Sequence, residues 1–498
     1  MRIVALFLIA LCVSVPGVSA QSNETVAYVQ EALQELGFDP GTADGAWGRR
    51  TRTALNAYRA TLDLPEQQDI SGSSLYNLHR IVAAGQTLPF PGQILEDFAE
   101  RQAYLQENEA VRSRQCNNRQ NLRQVTADWA PVTRFSESDV SFAAGVTAGV
   151  TAGLGPGQQD WALALAEGIS VTTANCVAGD AGQCEVLWSY IQKWPQADAL
   201  ITTTRKVENS EKFANTAWLA NTVLQPLIFA TAVVAHISNP ALEEQAPVLD
   251  WLYDRVNQFY FVSTKNDIVG DMDNTIARNQ ALAAVLPSMT LGAFLGDVEL
   301  FERGFPQFEA ALLNQRADGS FPTETKRGSM ALSYTGLKLS YLFALAEIAK
   351  SQDFDLYDVR WPRGQDLHRA ITYTLRGWSN WDTHVLKYAR ANDAAPMTPS
   401  SPVATDFAAS FGWLPVYMRR FGSHPNVSLM NGLTLDPVVC SPAHISEGRS
   451  DAEWCQMAGA PPLTLRAMLL DNTQKISVFN PAMGFNAGCF LARSDELF

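Results

Sequence analysis

Residues 321–334 read FPTETKRGSMALSY, and this stretch governs how the rest of the chain is interpreted. It places Arg327 and Tyr334 seven residues apart. Seven residues make about two turns of an α-helix, so the pattern predicts that both side chains project from one face into the same volume. A guanidinium can hold a carboxylate through two parallel hydrogen bonds, and its charge can lower the pKa of a neighbouring phenol from its usual value of about 10. The pair therefore indicates proton abstraction from a carbon atom beside a carboxylate.

The composition describes a large globular protein. The chain has 498 residues, of which 47% are hydrophobic, enough for an extensive core and for two or more domains. The formal net charge of −14 argues against nucleic acid as a partner. An acidic polysaccharide is still compatible with this charge, because a cleft can carry local positive charge on an acidic protein.

The N-terminus is typical of a cleavable secretory signal. Residues 1–20 read MRIVALFLIALCVSVPGVSA, with one Arg, an apolar run and small residues at the end. We expect the mature chain to begin near Gln21 and the protein to be periplasmic or secreted. We expect no membrane span in the later sequence.

Six cysteines follow the predicted signal, and an even number favours disulfides in an exported protein. Two pairs are suggested by short spacing and the third by elimination: Cys176–Cys184, Cys440–Cys455 and Cys116–Cys489. The sequence has no CxxC or HExxH motif, and its six histidines are scattered. We therefore predict no metal site and no cofactor.

Residues 24–84 are predicted to form a compact helical unit with a turn-rich connection. The unit resembles the peptidoglycan-binding-like three-helix domain, whose pattern runs from Gln-x-x-Leu-x-x-x-Gly through Asp-Gly-x-x-Gly-x-x-Thr to Ala-Leu. The matching residues are Gln30, Leu33, Gly37, Asp44, Gly45, Gly48, Thr51, Ala54 and Leu55. The resemblance implies binding of peptidoglycan or another wall glycan. Turn chemistry explains the glycines and Asp44 equally well, so a docking or spacer role stays open.

The rest of the chain is predicted to be mainly α. Residues 85–135 are interpreted as a helical linker and residues 136–498 as the main domain. Apolar segments recur at the helical period, loops rich in Gly, Asp and Asn separate them, and few segments alternate with period two. The predicted helices span residues 161–171, 184–194, 218–236, 246–260, 279–295, 298–314, 329–350 and 403–418.

Residues 279–334 resemble the mannuronate-type alginate lyases, polysaccharide lyase family five, which fold as an incomplete (α/α) toroid. The family carries Pro-Asn-Glu-Leu-Lys-Arg followed by Ala-Leu-x-Tyr. The corresponding segments here are PTETKR at 322–327 and ALSY at 331–334, without gaps. Residues 194–200, WPQADAL, also look like a family segment. The resemblance implies an exported lyase that cleaves a β-linked polyuronate by β-elimination.

The same resemblance assigns four catalytic residues. It gives Arg327 the substrate carboxylate and Tyr334 the proton transfer, and it places Asn279 on the family's catalytic Asn. Gln280 stands where the family has His, so a hydrogen-bond donor is kept while a possible cation is lost. Arg278 replaces the first Asn of that segment and is able to restore the missing charge. Helix capping explains Asn279 and Gln280 almost as well.

Four further residues are predicted to bind substrate, and three of them also have a plainer structural explanation. Lys326 can bind a neighbouring uronate or simply be solvated, and Arg278 can add charge to the carboxylate site. Asp198 can hydrogen-bond a sugar or stabilise a helix. Tyr341 lies seven residues beyond Tyr334 and can line the same cleft or pack in the core.

Two other functions stay open on the sequence alone. Loss of the family His can mark a retired active site in a glycan-binding protein without catalysis. A glycoside hydrolase needs two carboxyl groups, one of them with a raised pKa. The carboxyl groups available for that role are Asp271, Asp273, Asp318 and Glu324.

Overall fold

The computed structural model describes residues 23–81, 88–116, 123–135, 161–207, 210–261, 278–328, 331–359, 364–388, 411–433 and 482–493. These residues are largely helical, which confirms the predicted fold class. The α-helices are α1 (Asn23–Glu35), α2 (Arg49–Ala60), α3 (Gly72–Ile81), α4 (Phe98–Glu107), α5 (Glu109–Val111), α6 (Trp161–Val177), α7 (Ala181–Gln196), α8 (Glu211–Ile237), α9 (Leu242–Phe259), α10 (Asn279–Leu295), α11 (Val298–Glu302), α12 (Gly304–Leu313), α13 (Pro322–Thr325), α14 (Ala331–Ser351), α15 (Leu367–Ser379), α16 (Trp381–His384), α17 (Trp413–Phe421), α18 (Pro425–Gly432) and α19 (Ala487–Leu491). A π-helical turn, Arg112–Cys116, follows α5, and the strands β1 (Arg134–Phe135) and β2 (Ile201–Thr202) pair in parallel.

The N-terminal unit is held together by the residues of its motif. Gln30 on α1 is buried, and its Nε2 donates to Asp44 and Thr51 at 3.2 and 3.1 Å. Its Oε1 accepts the backbone N–H of Gly45 at 2.9 Å. These bonds fix the turn between α1 and α2. The motif therefore has a structural role, as the turn-chemistry interpretation predicts.

This unit packs directly against the main domain. Asp250 on α9 accepts hydrogen bonds from the backbone N–H of Ser73 at 2.8 Å and from Nε2 of Gln67 at 3.1 Å. At the start of α3, a Cβ added to Gly72 would lie 2.4 Å from the carbonyl oxygen of Leu249, so only glycine permits this approach. The predicted linker also contains helices, and Phe98, Arg101 and Leu105 of α4 are buried.

Helices α8, α10 and α14 form the centre of the main domain and are apolar around most of their circumference. In α10, every residue except Gln280 is buried. A helix with this pattern belongs inside a protein core. Helix α8 is long and apolar enough to span a membrane, although we expected no such segment after the signal. However, 94% of its most apolar 18-residue segment is buried in the fold.

These three helices run in the same direction. Hydrogen bonds join Gln280 to Asn215 and Thr290 to Gln225, and both pairs are 65 residues apart, so α8 and α10 are parallel and in register. The C-terminal ends of α10 and α14 meet at residues 90–93: Gly92 donates to the carbonyl of Ala293, and residues 351–352 hydrogen-bond to the same loop. The N-terminal ends of α8, α10 and α14 therefore lie together at the opposite end of the domain.

Two of the predicted disulfides are confirmed. Cys176 is bonded to Cys184, and Cys116 is bonded to Cys489, 373 residues further along the chain. The second bond joins the π-helical turn to α19. The predicted pair Cys440–Cys455 lies outside the described residues, as do residues 1–22 with the predicted signal.

Candidate functional site

Arg327 and Tyr334 come together, although not by the single helical frame that the sequence predicts. Helix α13 begins at Pro322, a residue suited to the first helical position, and ends at Thr325. Lys326, Arg327 and Gly328 form a turn in which Gly328 has φ of +56°, a conformation that ends a helix. Tyr334 then lies on α14. The predicted continuous helix is therefore wrong, because the chain breaks at Gly328.

The turn nevertheless stacks the two side chains. The Cζ atom of Arg327 lies 4.4 Å from the centroid of the Tyr334 ring, which is cation–π geometry. Tyr334 is half-buried and the Arg327 side chain is 28% exposed. A solvent-accessible guanidinium thus sits against a phenol at the N-terminal end of α14. This arrangement can bring a carboxylate on Arg327 close to the phenol oxygen.

A buried ionic group lies beneath this pair. Glu324 on α13 and Lys338 on α14 are both fully buried, with Oε1 and Nζ 3.6 Å apart. Nζ also donates to Oγ1 of Thr323 at 3.2 Å and lies 4.5 Å from the ring centroid of Phe321. Burial lowers the pKa of Lys338 to about 8, although the charge of Glu324 opposes this shift. From the sequence, Glu324 was considered only as a possible catalytic acid of a hydrolase, and Lys338 was missed. The sequence feature that could have revealed Lys338 is a lysine within an otherwise apolar helix.

Asn279 and Gln280 occupy the first turn of α10. Asn279 is buried, and Gln280 is half-buried with its Nε2 donating to Oδ1 of Asn215 on α8 at 2.9 Å. Arg278 is the N-cap residue and makes no side-chain cap hydrogen bond. Since α10 and α14 are parallel, this turn and the Arg327–Tyr334 pair lie at the same end of the domain. Helix N-termini there present backbone N–H groups and partial positive charge to an anion.

The other predicted substrate residues are placed as follows. Lys326 is half-buried on the turn beside Arg327. Asp198 forms an ion pair with Arg255 of α9, and no described contact joins it to Arg327 or Tyr334. Tyr341 is only 4% exposed and accepts a hydrogen bond from Nε1 of Trp218 at 3.1 Å, as the packing alternative predicts.

A second basic group, which the sequence did not reveal, lies beside α13. Arg316 donates to Oγ1 of Thr325 at 2.9 Å, and its Cζ lies 4.0 Å from the ring centroid of Tyr388. The Tyr388 hydroxyl donates to Oδ2 of Asp318 at 2.8 Å, and Nζ of Lys387 lies 3.2 Å from the same oxygen. Thr325 directly precedes Lys326, so this group contacts the helix that leads into the Arg327 turn.

Of the carboxyl groups considered for hydrolysis, Asp318 lacks the raised pKa that a general acid requires. Burial raises the pKa of Asp318, but hydrogen bonds from Ser320, Tyr388 and Lys387 outweigh burial and hold this pKa below its ordinary value. A general acid needs the opposite shift. Glu324 is enclosed in its ion pair, while Asp271 and Asp273 lie outside the described residues.

Comparison with protein families agrees with both resemblances. Residues 189–384 match the family model described as alginate lyase, and residues 22–66 match the putative peptidoglycan binding domain. A curated relative, a polysaccharide lyase of Stenotrophomonas maltophilia (strain K279a), is 26% identical over 182 residues, which are 36% of this chain. The chain spans 50% of that relative's length.

Solved structures support the fold. Alginate lyase A1-III has been solved as a His→Ala variant and as a Tyr→Phe variant, each complexed with a tetrasaccharide. Both are 19% identical to this chain, cover 69% of it and 92% of their own length, and superpose with TM-scores of 0.51 and 0.52. The alginate-lyase-like toroid preceded by a peptidoglycan-binding-like domain is thus confirmed.

Proposed function

We propose that this protein is a polysaccharide lyase that cleaves a β-linked polyuronate by β-elimination. The observation that carries the proposal is the stacking of the accessible Arg327 guanidinium on Tyr334 at 4.4 Å. This contact supplies a carboxylate-binding cation and a proton-transferring phenol within one site. The family match over residues 189–384 and the polysaccharide lyase relative support the same reaction class.

The charges around the pair suit an acidic polymer. The protein carries a formal net charge of −14, yet Lys326 adjoins Arg327 in the chain, and Arg316 contacts Thr325, the residue before Lys326. Local positive charge on an acidic protein favours a substrate with repeated carboxylates. This supports a uronic acid polymer over a neutral glycan.

The reaction begins with the C6 carboxylate of the sugar. Arg327 binds this carboxylate, and the amides of Asn279 and Gln280 donate hydrogen bonds as negative charge develops on its oxygens. Stabilising that charge makes the C5 proton acidic enough to leave. Tyr334, as the phenolate, takes this proton, and the C5–H electron pair is first held as the enolate of the carboxylate. This pair then forms the C4–C5 double bond as the C4–O4 bond breaks, and the electrons of that bond leave with O4.

Tyr334 completes the cycle by returning the proton to O4. Because one residue removes the C5 proton and protonates O4, both groups lie on the same face of the sugar, and the elimination is syn. This suits β-D-mannuronate or another sugar with the same relation of C5–H and O4. The products are a new chain end and a 4,5-unsaturated uronosyl end.

The proposal also covers location and the N-terminal unit. The apolar N-terminus and the even number of cysteines after residue 20 support export to the periplasm or beyond the cell. The match of residues 22–66 to a putative peptidoglycan binding domain supports a wall glycan as a second partner. Pull-down with purified peptidoglycan tests whether the protein binds this glycan. Protein that stays in the supernatant would contradict binding.

Replacement of Tyr334 by Phe tests the chemistry. We expect the appearance of conjugated, ultraviolet-absorbing product from a panel of polyuronates to fall by at least about a hundredfold, because the residue loses its only proton-carrying group. Binding of a uronate oligosaccharide should be largely retained. Tyr357→Phe is the matched control, since Tyr357 is a buried tyrosine that donates to Glu347 at 2.7 Å.

The outcomes separate the rival functions. Full turnover by Tyr334→Phe removes this residue from the mechanism. Affinity of the wild-type protein for polyuronates without any unsaturated product would favour a non-catalytic glycan-binding protein. Reducing sugar released without conjugated absorbance would favour hydrolysis.

A further inference from the structure

The carboxylate of Glu324 is anchored on one side only. Its Oε1 accepts a hydrogen bond from Oγ1 of Thr323 at 2.9 Å and lies 3.6 Å from Nζ of Lys338. Its Oε2 is buried, makes no hydrogen bond among the described residues, and lies 3.9 Å from Nε of Arg327. A buried carboxylate is costly unless opposite charges accompany it. Two cations, one buried and one accessible, therefore share this carboxylate.

The contact fixes the orientation of Arg327. Its Nε is buried and also makes no hydrogen bond within the described part of the chain, so this edge of the guanidinium is turned inward to Glu324. The Tyr334 ring covers one face of the same guanidinium. The Nε edge and one face are thus occupied, while the edge that carries both Nη atoms makes no hydrogen bond or ion pair among the described residues. That edge is the fork that binds a carboxylate.

We propose that Glu324, itself held by Lys338 and Thr323, is a positioning residue that presents the Nη edge of Arg327 to the substrate carboxylate. The inference rests on the proposed lyase function, because it assigns Arg327 to the substrate. Lys338 prevents Glu324 from closing a bidentate ion pair on Arg327, since the lysine and Thr323 occupy the Oε1 side. The guanidinium is thus oriented without being neutralised by a close pair.

Another ion pair on the same helix shows the contrast. Glu347, near the C-terminal end of α14, is 2% exposed and accepts hydrogen bonds from Nε and Nη2 of Arg420, both at 2.8 Å. It also accepts one from the Tyr357 hydroxyl. Both of its oxygens are occupied, and it lies at the opposite end from the site. Glu347 is therefore the matched control for a buried glutamate with a purely structural role.

The test compares Glu324→Gln with Glu347→Gln in the full-length protein. Both variants should lose thermal stability, since Glu324→Gln leaves the buried Lys338 without its partner and Glu347→Gln leaves the partly exposed Arg420 without its partner. Only Glu324→Gln should lower kcat/KM for a polyuronate, by about a hundredfold, with a raised KM, because a displaced binding group of this kind has an effect of that size. Its affinity for a uronate oligosaccharide should fall, whereas affinity for a neutral oligosaccharide should not change.

A second variant controls for loss of activity that is caused by misfolding. Glu324→Gln combined with Lys338→Met removes both buried charges, an exchange that proteins commonly tolerate, and still deprives Arg327 of its carboxylate. The same loss of kcat/KM is expected. Equal kcat/KM in the Glu324→Gln and Glu347→Gln variants would overturn the inference while leaving the lyase function intact.

A crystal structure separates failure of this inference from failure of the proposed function. If the wild-type protein yields no unsaturated product, the lyase proposal fails, and the position of Arg327 is still measurable. In the Glu324→Gln variant we expect its guanidinium to leave the Tyr334 ring. An unmoved guanidinium would overturn the positioning role whatever the activity.

Discussion

Gln280 marks the point where this chain departs from the lyases that it resembles. Its Nε2 is already donating to Asn215 at 2.9 Å, which leaves one amide N–H for a substrate carboxylate. A protonated imidazole at this position can donate from both ring nitrogens and carries a charge. In the proposed mechanism, the amide therefore supports the developing negative charge with a dipole alone, and Arg327 is assigned the cationic contribution.

Exchange of Gln280 tests how much this donor contributes. We expect Gln280→Ala to lower kcat/KM by about a hundredfold, the usual effect of removing one donor to a developing oxyanion, and Gln280→His to raise it by up to about tenfold. Both rates are measured from the conjugated product. Unchanged kcat/KM in Gln280→Ala would mean that Gln280 only joins α10 to α8.

For single residues, the sequence could identify candidates for the site but not how they are arranged in space. Arg327 and Tyr334 could be selected as candidates because both lie in a gap-free motif, and the structure shows that they contact each other. Lys338 was not, because a lysine between Leu337 and Leu339 shows only that a charge interrupts an apolar helix. Its partnership with Glu324 depends on how α13 folds against α14, and no local pattern encodes that packing.

The turn at residues 326–328, directly after α13, holds Arg327 against Tyr334 of α14. Gly328 has φ of +56°, a left-handed conformation that residues with a Cβ adopt at a cost. Gly296, which ends α10 with φ of 74°, has the same conformation at the opposite end of the domain. The two glycines are therefore comparable in strain and different in location.

We expect Gly328→Ala and Gly296→Ala each to lower the free energy of unfolding by about 1–2 kcal/mol. Only Gly328→Ala should also lower kcat/KM, by about tenfold or more, because the turn orients Arg327 and small displacements of binding groups are costly. Denaturant unfolding and product absorbance measure the two effects. Equal activity in both variants would show that the turn tolerates rearrangement.

Helix boundaries were predictable where a local stop signal exists. The predicted helix 279–295 matches α10 because Gly296 ends it. Helix α8 begins at Glu211, earlier than predicted, since Ser210 caps it by accepting the N–H of Phe213. The predicted helix 298–314 is two helices, α11 and α12, separated at Arg303. Hydrophobic periodicity alone misses such caps and breaks.

For the whole molecule, helical periodicity predicted a mainly α protein, the family resemblances implied a toroid and a separate N-terminal unit, and the fold class is confirmed. The packing of the two against each other was not predictable. Contacts such as Ser73 with Asp250 and Thr25 with Asp297 join residues that are 177 and 272 positions apart. Local sequence patterns do not predict contacts between residues that are so far apart in the chain.

Asp297 makes this junction sensitive to pH. It accepts a hydrogen bond from Leu300 as the N-cap of α11 and is fully buried, and burial raises its pKa from 3.8 to about 6. The folded protein therefore binds the proton more tightly than the unfolded chain does between these values. Stability from this group is lost as the pH rises through about 6, by about 3 kcal/mol in total.

Replacement of Asp297 by Asn keeps a capping oxygen and removes the ionisation. Relative to the wild-type protein, we expect the variant to gain about 2–3 kcal/mol of unfolding free energy between pH 4 and pH 8. Thermal unfolding of both proteins across this range gives the difference. A difference that is constant with pH would contradict the assignment of this penalty to Asp297.

The bond between Cys116 and Cys489 turns most of the polypeptide into a covalent ring. A protease that cuts a single peptide bond inside this ring opens it without releasing a fragment, and both cut ends stay tethered to one molecule. On a denaturing gel without a reducing agent, the two fragments of a cut molecule would therefore stay together as one species. A thiol reagent would separate them.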